Sequence, residues 1–161
     1  MSEVSSETNP ISLFYSYSHK DEELREELED HLSLLKRQGV ISEWHDRKIV
    51  AGEEWKDEID KNLENADIIL LLISASFNAS DYCFTKEMTR ALERHDAGEA
   101  IVIPVILREC EWKTAPYGKI QALPEDGKAV TGADWHNLDA AFTDIASGIR
   151  TVVSKKKRFL K

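Results

Sequence analysis

The sequence predicts an α/β fold, a parallel sheet with helices on both faces. Two runs, Asp67 to Ser74 and Ile101 to Leu107, are apolar almost without alternation, as strands covered on both sides must be. Between such runs, apolar residues recur three and four positions apart, which is helical spacing. The two patterns alternate about five times with no second composition regime and no internal repeat, and alternating β and α units build a parallel sheet through right-handed crossovers.

Each element follows from its local chemistry. Ile11 to Tyr17 follows Pro10, is short and rich in β-formers, and reads as strand one. Ser18, with Asp21 three residues on, has the pattern of a helix N-cap. Leu24, Leu28, Leu32 and Leu35 then form one stripe, Glu22, Glu23, Glu26 and Glu27 enrich the first turns, and Gly39 stops the helix. Val40 to Trp44 is strand two, and His45 to Glu54 a polar loop. Trp55, Ile59 and Leu63 mark helix two, Asp67 to Ser74 is strand three, and Ala75 to Tyr82 reads as a loop. Phe84, Met88, Ala91 and Leu92 give helix three a buried stripe, with Gly98 just past its end. Ile101 to Leu107 is strand four. Arg108 to Lys128, punctuated by Pro116, Gly118, Pro124 and Gly127, is a long connection, and Ala129 to Thr131 a brief strand five. Leu138, Phe142, Ile145, Ile149 and Val152 form the apolar face of the last helix. With five strands in the order 2-1-3-4-5, this is a flavodoxin-like three-layer sandwich whose switch point lies between strands one and three.

At 161 residues the chain is one domain, long enough to remove roughly 70% of its unfolded surface from water. Residues 1–10 are Ser/Glu/Thr-rich and expected to be disordered, residues 11–153 carry the domain, and residues 154–161 are a basic tail or a linker to a further domain. The net charge of -9 argues against a nucleic-acid partner, since phosphate backbones call for excess Lys and Arg. The two cysteines, Cys83 and Cys110, form no metal-binding spacing and no disulfide framework. With no membrane-length apolar run and no signal-peptide pattern, the expected setting is the cytoplasm, away from membranes.

In such folds ligands bind outside the carboxyl ends of the strands. The loop after strand one is Tyr17-Ser18-His19-Lys20, and the segment after strand three runs from Ser74 to Glu87. A phosphoacceptor domain would need acids where Tyr17-Ser18 and Ile73-Ser74 stand. A dinucleotide fold would need a Gly-rich first turn, yet there is no glycine between Met1 and Gly39. What is left is a crevice with Tyr, Ser and His on one wall. The other wall ends in the carboxylate of Ser80-Asp81-Tyr82-Cys83-Phe84-Thr85-Lys86-Glu87.

These residues resemble the TIR domains over about Ile11 to Val153. Phe14-Tyr15-Ser16-Tyr17 is similar to the family's first box, Leu71-Leu72-Ile73-Ser74 to its third-strand box, and Ile103-Pro104-Val105-Ile106 to its fourth strand. Asp46 to Gly52 with Trp55 resembles the self-association loop, Ser80 to Cys83 with Glu87 the catalytic helix start of bacterial members, and Trp135 the late tryptophan. The resemblance implies cleavage of the nicotinamide–ribose bond of NAD+, a substrate here, with no bound cofactor or metal. Glu87 is the implied catalytic residue. Tyr17, Ser18, His19, Trp44, Asp46, Arg47, Ser74 and Cys83 are the implied substrate-binding residues. Ser18 doubles as an N-cap, Trp44 could equally pack in the core, and a buried structural thiol competes as the role of Cys83. Trp55 and Trp135 read as core residues.

A single carboxylate suits this chemistry. Ordinary glycosidases need a second acid to protonate the leaving oxygen. Nicotinamide leaves a cationic pyridinium as a neutral molecule and needs no proton. The product is ADP-ribose or a cyclic isomer, and a position four residues before Glu87 held by Cys83 rather than tryptophan leaves the choice open. The resemblance further implies self-association through Asp46 to Glu54, a sensor domain C-terminal to this segment, and a part in prokaryotic antiphage immunity. The alternative is a TIR module that only bridges signalling proteins, and a further one uses NAD+ only as a bound signal.

Overall fold

The computed structural model describes residues 10–44 and 55–159. Strands β1 (Ile11–Ser16), β2 (Ile41–Trp44), β3 (Ile68–Ile73) and β4 (Ile101–Ile106) make one parallel sheet in the order β2-β1-β3-β4. Helices α1 (Glu22–His31) and α2 (Ser33–Arg37) follow β1, and α3 (Trp55–Asn65) precedes β3. After β3 come α4 (Ala75–Ala79), a π-helical segment (Asp81–Met88) and α5 (Thr89–Asp96), and α6 (Leu138–Phe159) follows the long connection after β4. α6 runs through Lys155 to Arg158, the basic stretch expected as a tail or linker.

The expected fifth strand is a correction. Among the described residues the sheet has four strands, and Ala129 to Thr131 is not one of them. The open edge of β4 is met piecemeal instead. Leu123 accepts from Ile106 N–H and donates to Pro104 carbonyl, both at 2.9 Å. Val130 and Thr131 donate to the carbonyls of Ile106 and Leu107. The next donor in line, the Glu125 N–H, goes to Asp144 Oδ2 at 2.7 Å and Val130 takes the Ile106 carbonyl, so the pairing stops after one bridge. Residues Ala75 to Tyr82, expected as a loop, contain α4 and the start of the π-helical segment.

Strand alternation sorts the core into two layers. Leu13, Tyr15, Ile68, Leu70, Leu72, Ile103 and Val105 pack with Leu28, Leu32 and Leu35 and with Phe142, Ile145 and Ile149 of α6. Phe14, Ile69, Leu71, Ile73, Val102 and Ile106 face the other way, against Ile59 and Leu63 of α3, Phe77, Met88 and Ala91. β3 is buried at every position. Its uninterrupted apolar run is therefore a consequence of having a helical layer on each side.

Two turns use glycine for its backbone. At Gly39 (φ +73°) the Val40 N–H reaches the Leu35 carbonyl and the Gly39 N–H reaches Lys36, closing α2 with a Schellman motif. At Gly98 (φ +76°) Glu99 and Gly98 donate to Arg94 and His95 in the same way. Arg94 is buried and closes α3 from outside, donating to the carbonyls of Leu63 and Ala66 at 2.8 Å each. A Cβ at Gly98 would meet nothing within 4 Å, so the cost of Gly98→Ala is conformational alone, about 1–2 kcal/mol. The thermal midpoint should fall by roughly 2–8 °C, measured by circular dichroism.

Candidate active site

The segments after β1 and β3 enclose a pocket of about 170 Å³. One wall is Tyr17, Ser18 and His19, and the other is Ser80, Tyr82, Cys83 and Glu87. Phe14, Tyr15 and Ile59 supply the apolar base. The chain builds the first wall by ending β1 at Ser16 and turning through Ser18, whose hydroxyl accepts from the Lys20 N–H at 3.2 Å to start a short 3-10 turn, His19–Asp21. On the second wall, the Ser80 hydroxyl accepts from Cys83 N–H at 3.1 Å and caps the π-helical segment. The wider turn of that segment brings Cys83, Glu87 and Met88 to the buried side together.

Glu87 is only 6% exposed. Ser16 Oγ donates to Glu87 Oε1 at 2.6 Å, a short bond between a hydroxyl and a carboxyl oxygen. Ser16 shares the sheet face of Phe14, so strand alternation aims its hydroxyl at the helical layer that carries Glu87. Cys83 Sγ donates to the Tyr17 carbonyl at 3.3 Å and ties the two walls together.

Tyr17 is held from behind. Its hydroxyl donates to Glu22 Oε1 at 2.7 Å, and Glu22 also accepts from Arg25 at 2.9 Å. The Arg25 guanidinium is buried, 5.5 Å from the Tyr17 ring centroid and 5.8 Å from that of Tyr15. Burial works against its charge, but the hydrogen bonds it donates to Glu22 and Glu29 hold it above the ordinary arginine value. The His19 ring meets that of Tyr17 edge-on, with centroids 6.0 Å apart.

A second polar cluster fastens the same turn. Asp21 is 2% exposed. Ser74 Oγ donates to its Oδ2 at 2.5 Å and Arg108 Nε to its Oδ1 at 2.9 Å. Arg108 also donates to Ser76 at 2.9 Å. Ser74 in turn caps α4 by accepting from the Phe77 N–H at 3.1 Å. The ends of β1, β3 and β4 are thereby joined through one carboxylate.

The sequence pattern of the TIR domain family matches residues 13–146. The chain belongs to the TIR domain family. It is 55% identical over 147 residues to a Sinorhizobium fredii protein named "Uncharacterized protein y4lF", a match covering 91% of this chain. The match covers 45% of that protein, so the chain spans less than half of its relative's length. The TIR domain of the Toll-related receptor TRR-2 from Hydra magnipapillata aligns with a TM-score of 0.54 and 22% identity, over 69% of this chain and 81% of that one. This likeness shows the shared fold. The TIR domains of the activated Roq1 resistosome, which directly recognises the effector XopQ, align with a TM-score of 0.48 and 27% identity, over 59% of this chain and 56% of that one.

In this TIR domain, Tyr17, Ser18, His19, Cys83 and Glu87 line one pocket. Ser74, expected to touch substrate, is fully buried and is not among the pocket residues, its hydroxyl being engaged with Asp21 and Phe77. Asp46, Arg47 and the whole loop Asp46 to Glu54 lie outside the described residues. Trp44 ends β2 paired with Phe14, and its side chain lies outside the described set, as does that of Trp55. Trp135 packs half-buried against the core and donates its indole N–H to the Lys128 carbonyl at 3.0 Å. Sequence reasoning gave no role to Ser16 or Arg108, and read Asp21 as a helix-start acid. The signal available for Ser16 was parity, a hydroxyl on the strand face of Phe14 at the end of β1 that faces the crevice.

Removing Arg108 leaves the Asp21 carboxylate buried without its cation. Arg108→Ala should cost about 2–3 kcal/mol in urea unfolding, below the full cost of breaking a buried pair because the Arg108 side chain is 40% exposed. Arg90→Ala, which removes a surface pair with Glu64, should shift the same midpoint far less.

Proposed function

We propose that this TIR domain cleaves the nicotinamide–ribose bond of NAD+. The observation that supports it most is Glu87, a carboxylate nine-tenths buried, lining a small pocket and oriented by a hydroxyl donor. Aromatic residues, Phe14, Tyr17 and Tyr82 among them, line the pocket with that carboxylate, a setting that suits a flat cationic ring.

In the reaction the ribose C1′–N1 bond breaks and its electron pair leaves with nicotinamide, which departs neutral. The positive charge passes to the ribose as an oxocarbenium ion. Glu87 accepts hydrogen bonds from the ribose hydroxyls and counters that charge where little water screens it. Water then bonds to C1′ and releases a proton, giving ADP-ribose, or an atom of the same molecule attacks and gives a cyclic isomer. Self-association through Asp46 to Glu54, a sensor domain beyond the segment, a cytoplasmic setting and a part in prokaryotic antiphage defence belong to the same proposal.

The test is nicotinamide release from NAD+ by concentrated protein with a crowding agent. Glu87→Ala should lower the rate about a hundredfold or more. An unchanged rate in that variant removes Glu87 from the mechanism. No release from clustered native protein points instead to a TIR module that only bridges signalling proteins.

A further inference from the structure

We propose that Ser16 is a positioning residue for Glu87, fixing the plane of the carboxylate so that it meets the ribose in one orientation. The inference rests on the reading of Glu87 given above. Three observations carry it. Ser16 is fully buried at the last position of β1, in register with Leu71 of β3, and its neighbours on that end of the sheet face are Phe14, Ile69, Leu71 and Ile73. A hydroxyl buried among such neighbours is unfavourable unless it finds a partner, and an alanine would pack there at no such cost. The partner is Glu87 Oε1, at 2.6 Å.

The geometry assigns the two partners unequal mobility. Ser16 sits on a strand paired to β3 at its own position, opposite Leu71, and to β2 as far as Phe14. Glu87 has three side-chain torsions and stands on a π-helical segment, a less regular support. The hydroxyl is therefore the fixed end of the pair and the carboxylate the end that is held. Ser16 does not itself line the pocket, so its effect on substrate passes through Glu87. That predicts a loss in the chemical step and not in substrate affinity, because a small misplacement of a charge-stabilising group is felt most in the transition state.

The experiment measures kcat and KM for NAD+ under the clustering conditions above, for native protein, Ser16→Ala, Ser16→Cys, Glu87→Gln and the double variant Ser16→Ala/Glu87→Gln. Ser16→Ala should lower kcat about ten- to a hundredfold with KM within about twofold. Ser16→Cys, with a weaker donor in nearly the same space, should fall between native and Ala. On the Glu87→Gln background, Ser16→Ala should add little, since both act through one carboxylate. A Ser16→Ala enzyme with native kcat overturns the proposal, and so does a loss confined to KM or losses that multiply in the double variant. Should Ser16→Ala not fold, native kcat in Ser16→Cys overturns it equally. The two readings separate cleanly. No release from clustered native protein sinks the function itself, and a Glu87→Gln enzyme as fast as native removes Glu87 from it, whereas an inactive Glu87→Gln beside a fully active Ser16→Ala sinks only the role of Ser16.

Discussion

A strand covered on both faces is shielded from water along its length, and a polar group buried beside it must find a protein partner. β3 is such a strand, buried from Ile68 to Ile73. Among the described residues, the buried polar and charged ones are Ser16, Asp21, Arg25, Ser74, Glu87 and Arg94. All but Arg94 gather where the strands end or on α1 beside Tyr15 and Tyr17. Arg94 works at the opposite edge, at the carbonyls that precede β3 and β4.

Within that gathering the partners are exchanged between neighbouring strands. Ser16 ends β1 and takes Glu87 from the helical run after β3. Ser74 follows β3 and takes Asp21 from the turn after β1. Alternation sends the two serines to opposite sheet faces, so the crossed pairs brace the crevice from both layers. One of the two acids is held by an arginine and carries no pocket surface. The other accepts from the Ser16 hydroxyl and lines the pocket. Access to the pocket is what separates a fastening from a candidate reacting group.

Most of the fold could be read from the chain because its signals are local. The apolar run of β3, the leucine stripe through Leu35 and the glycines at 39 and 98 each report their own surroundings. The position of Glu87 beside Tyr17 to His19 followed from topology, since loops after adjacent parallel strands share one edge of the sheet. What could not be read was non-local. The fifth strand failed because the edge of β4 is met by Leu123 in a single bridge, with the Glu125 N–H turned to Asp144, while Ala129 to Thr131 carries only two of the needed bonds. Asp21 looks like any acid in a first helical turn. Only the tertiary structure shows it reaching Ser74 and Arg108, 53 and 87 residues away. Ser74 looked like a substrate contact for the converse reason, a hydroxyl at the right strand end whose partner was invisible.

Burial acts on Glu87 in two opposing ways. A medium poor in water makes a carboxylate act more strongly on a nearby cation, which the proposed oxocarbenium stabilisation uses. The same medium makes the ionised carboxylate costly to keep. The Ser16 hydroxyl offsets part of that cost through one short hydrogen bond. Ser16 therefore makes it less costly to bury the Glu87 carboxyl beside the pocket, while Asp21, bonded to Ser74 and Arg108 away from the pocket lining, fastens the strand ends.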